Sequence, residues 1–462
     1  MEEYREETDT LGPVKIPATA LWGPQTERSR HNFPHGAVMP VQVIRALLQI
    51  KRAAARVNQQ VGTLTAAKAT VIEQAAKQLL ALDDAALMAD FPLHVYQTGS
   101  GTQTNMNVNE VLAHVAAQLD PATPLMPNDD INQSQSSNDT FPTAMNIAAT
   151  LALAPVVTQL QALITALTAK QQQYWHTVKI GRTHLQDATP LTFGQEVSGW
   201  VSMLNHDLGY VNQLKTALLA LPIGGTAVGT GLNTPPAFAA KMTANLAVTY
   251  QIAFRPADNN FAGLAAHSEL TVVHGALRTL AADLVKIGND LRFLASGPRA
   301  GYGELTIPAN EPGSSIMPGK VNPTQIEALT MAAARVMGND TTITFAASQG
   351  NFEMNVYKPV IIAAFLESAD LLSGTIDGLT TKLVAGLTVN AERMRALVDE
   401  SLMTVTALSP KIGYHHAAEI AQLAEQSGST LREAALKSGY VTGPDFDQWV
   451  DPLKMTNIDR SK

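Results

Sequence analysis

The sequence predicts a mainly α-helical protein built round a bundle of long helices, and two observations carry that prediction. Leu270, Val273, Leu277, Leu280, Leu284, Ile287, Leu291 and Leu294 recur with gaps of 3,4,3,4,3,4,3, a strict heptad seam. Such a seam runs for about seven turns of one helix. Aromatic residues make up only 5% of the 462 positions while Ala and Leu abound, which favours closely spaced helices over a β-sandwich. A helix with so regular a seam requires other long helices beside it, either in the same chain or in neighbouring chains.

The remaining composition excludes several classes. Hydrophobic residues at 45% against 16% charged imply a large buried fraction and rule out a disordered chain. With no cysteine there is no disulfide framework, no thiolate metal site and no cysteine nucleophile. The net charge is −8 and the basic residues are scattered, so no nucleic-acid partner is expected. The opening MEEYREETDT is acidic and lacks the apolar core of a signal peptide. No uninterrupted apolar run reaches membrane-spanning length, so the expectation is a soluble cytoplasmic protein without a membrane partner.

Along the chain, residues 1 to about 40 read as irregular, punctuated by Pro13, Pro17, Pro24, Pro34 and Pro40. Helical stretches follow at Ile44–Val61 and Ala66–Leu82. Gly99–Glu110 (GSGTQTNMNVNE) is a turn running into a helix. The polar run Pro127–Asp139 ends in Ser136-Ser137-Asn138-Asp139, good capping chemistry for a helix starting there. Leu153, Val156, Val157, Leu160, Leu163, Ile164 and Leu167 mark that helix. After a polar break at Gly181–Pro190, Val197, Val201, Leu204, Leu208 and Val211 mark the next. Helices are also expected from Thr324 to about Met337 and from Val360 to about Leu383. Beyond Asn390 the pattern shortens, with helices near Lys411–Glu425 and Thr430–Ser438. The domains read from this are a mixed, mostly helical 1–135, a central long-helix bundle at 136–390, and a small helical unit at 391–462.

The stretch Gly313–Gln325 (GSSIMPGKVNPTQ) holds two Gly and two Pro and cannot be a helix interior or a central strand. With Pro308 and Pro312 before it, it reads as a long loop, and long loops in compact domains are commonly lids or binding loops. By composition alone it is equally a surface connection of ordinary turn residues. The four polar clusters lie at helix ends or breaks, where unpaired N–H groups and the helix dipole favour anions. Their hydroxyls, amides, one Lys and one His suit a small anion, such as a di- or tricarboxylate. His184, beside Thr183 and Gln186, is the candidate acid/base group, although a lone histidine is more often structural. No H-E-x-x-H pair is present, so no metal site is expected. Gly99-Ser100-Gly101-Thr102 lacks the Gly-Lys-Ser/Thr ending of a phosphate loop and is a weak nucleotide signal.

GSSIMPGKVNP, GRTHLQDATP, SQSSND and GSGTQTNMN together resemble the fumarase/aspartase superfamily, and within it the class II fumarases. The likeness spans nearly the whole chain. WGPQTERSRHNF is similar to the opening of those proteins, and ALSPKIGYHHAAEIA with FDQWV to their C-terminal domain. Gly319 stands where aspartases typically carry Ala, and Arg182 precedes Thr-His where they tend to have Gln.

The resemblance implies a three-domain helical fold in a homotetramer, with long central helices packed between subunits and each site drawn from three of them. It implies reversible addition of water to fumarate, giving L-malate, with no cofactor and no metal. It further implies Ser314 as the base at carbon, His184 on the oxygen side and Glu327 orienting His184. Ser100, Gly101, Thr102, Ser136, Ser137, Asn138, Thr183, Ser315, Lys320, Val321 and Asn322 would hold the dicarboxylate. Met126, Pro127, Asn128 and Asp129 match the family's second, non-catalytic anion site, but with Met126 where a His is usual, which should weaken it. An aspartase-type ammonia-lyase is the nearest alternative. A non-catalytic helical scaffold is a second, opposed by the joint presence of Ser314, Lys320, Asn322, His184 and Glu327.

Overall fold

The computed structural model describes residues 3–460. It is mainly helical, 63% helix against 8% strand. The chain opens on a two-stranded antiparallel hairpin, β1 (Tyr4–Asp9) and β2 (Gly12–Pro17), followed by α1 (Pro24–Asn32). The first 40 residues are therefore more regular than their prolines suggested. Pro13 and Pro17 are tolerated because β2 pairs on one side only, and Pro24 because it opens a helix, where its missing N–H costs nothing.

Further helices follow: α2 (Val41–Gln60), α3 (Ala66–Leu80), α4 (Asp84–Met88), α5 (Thr102–Leu119) and α6 (Ser137–Gln173). A second hairpin, β3 (Val178–Thr183) and β4 (Gln186–Thr192), precedes α7 (Phe193–Leu214). Then come α8 (Phe238–Tyr250), α9 (Asn260–Ala265), α10 (Ser268–Leu294), α11 (Thr324–Ala347) and α12 (Lys358–Gly378). Shorter helices, among them Tyr414–Ser427 and Leu431–Ser438, close the chain round a small core of Leu408, Ile420, Leu431 and Phe446. All eight residues of the α10 seam are buried, none more than 4% exposed.

By compactness the chain separates into two units. The first comprises 1–156, 210–279 and 334–371; the second comprises 157–209, 280–333 and 372–462. In the first, α2 lays Val43, Ile44, Leu47, Leu48 and Ile50 into the core. Glu110, buried on α5, accepts hydrogen bonds from the Gly23, Gln25 and Thr26 N–H groups and from the Thr26 hydroxyl. It thus supplies negative charge to the start of α1, where the dipole favours it, although burial holds its pKa above the ordinary carboxylate value. In the second unit, Gly288 of α10 lets Ile326 of α11 approach; an added Cβ would meet its methyl at 3.1 Å.

Candidate functional site

In the first unit, two helix N-termini meet through hydroxyls. Gly101 caps α5 at φ +78, a left-handed conformation that glycine adopts without steric penalty. A Cβ there would also strike the Phe141 ring at 2.3 Å. Ser100 Oγ lies 2.7 Å from Thr102 Oγ1, which lies 2.7 Å from Ser137 Oγ at the head of α6. Ser136 caps α6: its hydroxyl accepts from the Asn138 N–H at 3.2 Å, and Asp139 accepts from the Ser136 N–H at 2.9 Å. This reciprocal cap is the one expected from Ser136–Asp139.

Asp139 is fully buried and its second oxygen accepts from the Gly224 and Thr226 N–H groups at 2.8 and 2.9 Å. Burial raises its pKa, with the three N–H donors and Lys51 opposing the shift. Asn138 donates to the Ala227 carbonyl at 2.8 Å. The turn at Gly224–Gly231 is thereby tied to the head of α6. Reading the sequence missed it, although four glycines in eight positions were a usable signal. Met126 is exposed and leads into a short, wide helical turn, Pro127–Ile131. Asn128 and Asp129 there are exposed, while the buried Asp130 pairs with Lys68 at 2.6 Å.

In the second unit, Gly181–Pro190 is not an irregular break between helices, as expected, but the body of the β3–β4 hairpin. His184 and Leu185 form its two-residue tip, both left-handed at φ 57 and 60, the backbone a tight right-twisted hairpin needs. Thr183 and His184 are exposed there. The hairpin is anchored just below its tip: Arg182 makes paired hydrogen bonds of 3.0 and 3.1 Å to the fully buried Glu304 and lies 4.3 Å from the Tyr302 ring centre. Lys179, also buried, lies 3.3 Å from Glu196 and 3.8 Å from Glu304.

The Gly313–Gln325 loop belongs to the same unit. The Gly313 N–H donates to the Lys320 carbonyl at 3.0 Å, and the Asn322 amide donates to the Gly313 carbonyl at 2.6 Å, closing the loop on itself. Ser314 Oγ accepts from the N–H groups of Ile316 (3.2 Å) and Met317 (3.1 Å). Two converging N–H donors stabilise negative charge on that oxygen. Ser315, Lys320 and Val321 are exposed, as is Glu327 in the first turn of α11. Within the chain no hydrogen bond or ion pair among the described residues joins His184 to Glu327. Among the described residues no three His, Asp or Glu side chains gather to hold a metal ion.

Chemically, the first unit offers hydroxyls and N–H groups suited to carboxylates. The second offers an imidazole at a hairpin tip and a serine hydroxyl that two N–H groups face. Comparison with known proteins places the chain. A family described as lyase matches residues 12–338, and one described as fumarase C C-terminus matches 405–457. The chain is 55% identical to a class II fumarate hydratase of Listeria monocytogenes over 98% of this chain and 100% of that one. It is 53% identical to that of Nitrosomonas europaea, over 99% and 100%. A crystal structure of class II fumarase from Schistosoma mansoni superposes with a TM-score of 0.94 at 40% identity, over 98% of this chain and 99% of that one. A fumarate lyase:delta crystallin from Brucella melitensis bound to cobalt gives 0.93 at 38%, over 98% and 100%.

Proposed function

The chain belongs to the class II fumarate hydratases of the lyase family, and from that premise we propose how its own residues add water to fumarate. It is a hydro-lyase that interconverts fumarate and L-malate; the ammonia-lyase alternative is not favoured, since these relatives are hydratases.

The demanding step is making or breaking a C–H bond beside a carboxylate that is already ionised. The intermediate, an aci-carboxylate, carries an extra negative charge, and preorganised donors facing that charge are usually the largest catalytic contribution. In hydration, His184 takes a proton from water as the oxygen adds to one alkene carbon. The alkene electron pair moves to the other carbon and into its carboxylate. The Ser314 hydroxyl then delivers its proton to that carbon, leaving an alkoxide held by the Ile316 and Met317 N–H groups. Dehydration runs the same steps backwards, with Ser314 as base and His184 protonating the departing hydroxide. Proton return between the two residues through solvent completes the cycle. Lys320 and Asn322 meet the added charge, and Ser315 and Val321 complete the loop's side of the pocket. Ser100, Gly101, Thr102, Ser136, Ser137, Asn138 and Thr183 fix the carboxylates. Glu327 orients His184 from a neighbouring subunit.

The observation that carries this reading is the Ser314 hydroxyl under two converging N–H groups. A serine is far too weak an acid to serve as a base without such support. A homotetramer follows from the same reading, with sites shared between subunits. Support comes from α6, whose most apolar stretch has a mean hydropathy of 1.8 yet is only 39% buried within one chain. Tyr210, Met331 and Phe345 on other long helices are likewise exposed. We further place the reaction in the tricarboxylic acid cycle and the protein in the cytoplasm, which suits a cysteine-free chain of net charge −8. At Met126–Asp129 a thioether in place of the usual imidazole leaves a second anion site weakened, without disabling the main one.

Following the ultraviolet absorbance of fumarate with purified protein, in buffer alone and with ammonium added, tests the activity. Loss of absorbance in buffer alone, yielding malate, is expected. Absorbance that falls only with ammonium overturns the hydratase.

A further inference from the structure

Lys51 is an unusual residue to find in the middle of an amphipathic helix. It lies on α2, fully buried, among the largest side chains the interior holds. Its ammonium donates to Asn132 Oδ1 and Gln135 Oε1, each at 2.9 Å. Burial pushes the amine down to about 7, with the Asp139 carboxylate opposing the shift. Burying an ammonium is expensive, and well-packed apolar residues of similar volume are often as stable or more so. Stability alone is therefore a poor reason for Lys51 to be there.

Its partners supply a better one. Asn132 Oδ1, besides accepting from Lys51, accepts from the Asn105 and Asn109 amides at 3.1 and 3.2 Å, both on α5. Asn132 in turn donates to the Gln135 carbonyl at 3.3 Å, and the Gln135 amide donates to the carbonyls of Ile131 and Gln133. The 131–135 turn is thus wrapped round one ammonium, with Ser134 held left-handed at φ 61. The next residue is Ser136, the cap of α6. One buried cation therefore ties down both the helix that starts at Thr102 and the segment that delivers Ser136 and Ser137. Thr102 and Ser137, one from each, are the residues whose hydroxyls meet at 2.7 Å.

Resting on the dicarboxylate reading above, we propose that Lys51 is a positioning residue: without touching substrate, it sets the register of the α5 and α6 N-termini and so the affinity for the dicarboxylate. A cross-link that served only to hold the fold would leave binding by the folded enzyme unchanged. Lys51→Met keeps the length of the side chain and removes the charge and both hydrogen bonds. In the intact enzyme, KM for fumarate and the dissociation constant of succinate, which binds but cannot be hydrated, should both rise about tenfold, as for the loss of a charged hydrogen-bonded contact. The kcat should stay within about threefold of the parent, because carbon and oxygen chemistry lie elsewhere.

Gln135→Leu removes one acceptor only and should raise both constants about threefold. It decides the matter if Lys51→Met does not fold. Folded variants that bind succinate like the parent, or that lose kcat at unchanged KM, overturn the proposal. The succinate arm keeps the two readings apart. A parent protein that binds succinate without hydrating fumarate counts against the hydratase and leaves Lys51 to be judged on binding. A parent that binds neither overturns both.

Discussion

Arg182 and Glu304 form a two-pronged ion pair, 3.0 and 3.1 Å, in which the carboxylate is wholly buried and the guanidinium nearly so. Glu304 also lies 3.8 Å from the buried Lys179, which sits nearer to Glu196 at 3.3 Å, so two carboxylates meet two cations beneath the hairpin that carries His184. Removing one member of a buried pair strands the rest, at a cost of about 3–5 kcal/mol. Glu304→Ala should therefore melt far below the parent. Its residual folded fraction should show kcat reduced more than KM is raised, since the His184 tip loses its footing. Thermal unfolding followed by circular dichroism, alongside steady-state kinetics, checks both.

The Ser314 hydroxyl owes its place to backbone donors, which a side-chain substitution leaves in position. Ile316→Pro removes one of them, and Ile316 is 82% exposed, so little packing is lost with it. Proline at 316 should lower kcat about 100-fold, the usual cost of losing one such donor. Ile316→Ala should leave kcat nearly intact, separating the N–H from the side chain. Ser314→Ala and His184→Asn should each lower kcat by about three orders of magnitude while the assembly stays folded. Near-parental kcat in either would remove that residue from its role.

Helices and their faces were legible because burial has a period. The α10 seam is buried at all eight predicted positions, and the Ser136–Asp139 cap forms as its residue types demand. The hairpin tip was not legible. A two-residue turn with both residues left-handed is ordinarily announced by Asn-Gly or Asp-Gly, and His184-Leu185 gives no such signal. Nor does anything local link Asp139 to Gly224 and Thr226, which lie 85 and 87 positions further on. Of the site residues read from the sequence, Ser100, Thr102 and Ser137 touch one another directly. The hydrogen bonds of Ser314 and Asn322 stay within their own loop, Asn322 spending its amide on Gly313.

Gly101 offers a test of the hydroxyl cluster that leaves every hydroxyl in place. At φ +78, with the Phe141 ring where a Cβ would go, alanine there is strained in backbone and packing together. The cost should be about 1–3 kcal/mol. Because the strain falls between Ser100 and Thr102, KM for fumarate should rise, whereas the pH profile of kcat, governed by groups elsewhere, should keep its shape. A Gly101→Ala enzyme with parental KM would mean that the Ser100–Thr102–Ser137 contact does not bear on substrate.

Asp207, buried on α7, has neither oxygen bonded to a donor, and its neighbour Asp283 on α10 is another acid with which it can share a proton. Burial, and then Asp283, push it up to about 7. The native state therefore holds this proton between about pH 4 and pH 7 while the unfolded chain has lost it, so stability falls as pH rises through that window. Above the folded pKa the charge is present in both states and the full penalty applies. Below the unfolded value both are neutral and the penalty is gone. Asn at 207 has no proton to lose, so Asp207→Asn should melt several degrees above the parent at pH 8, with the gap closing steadily toward pH 4. Melting temperatures measured across that range decide it; a gap that stays constant with pH would show that Asp207 is already neutral, or already paired, throughout.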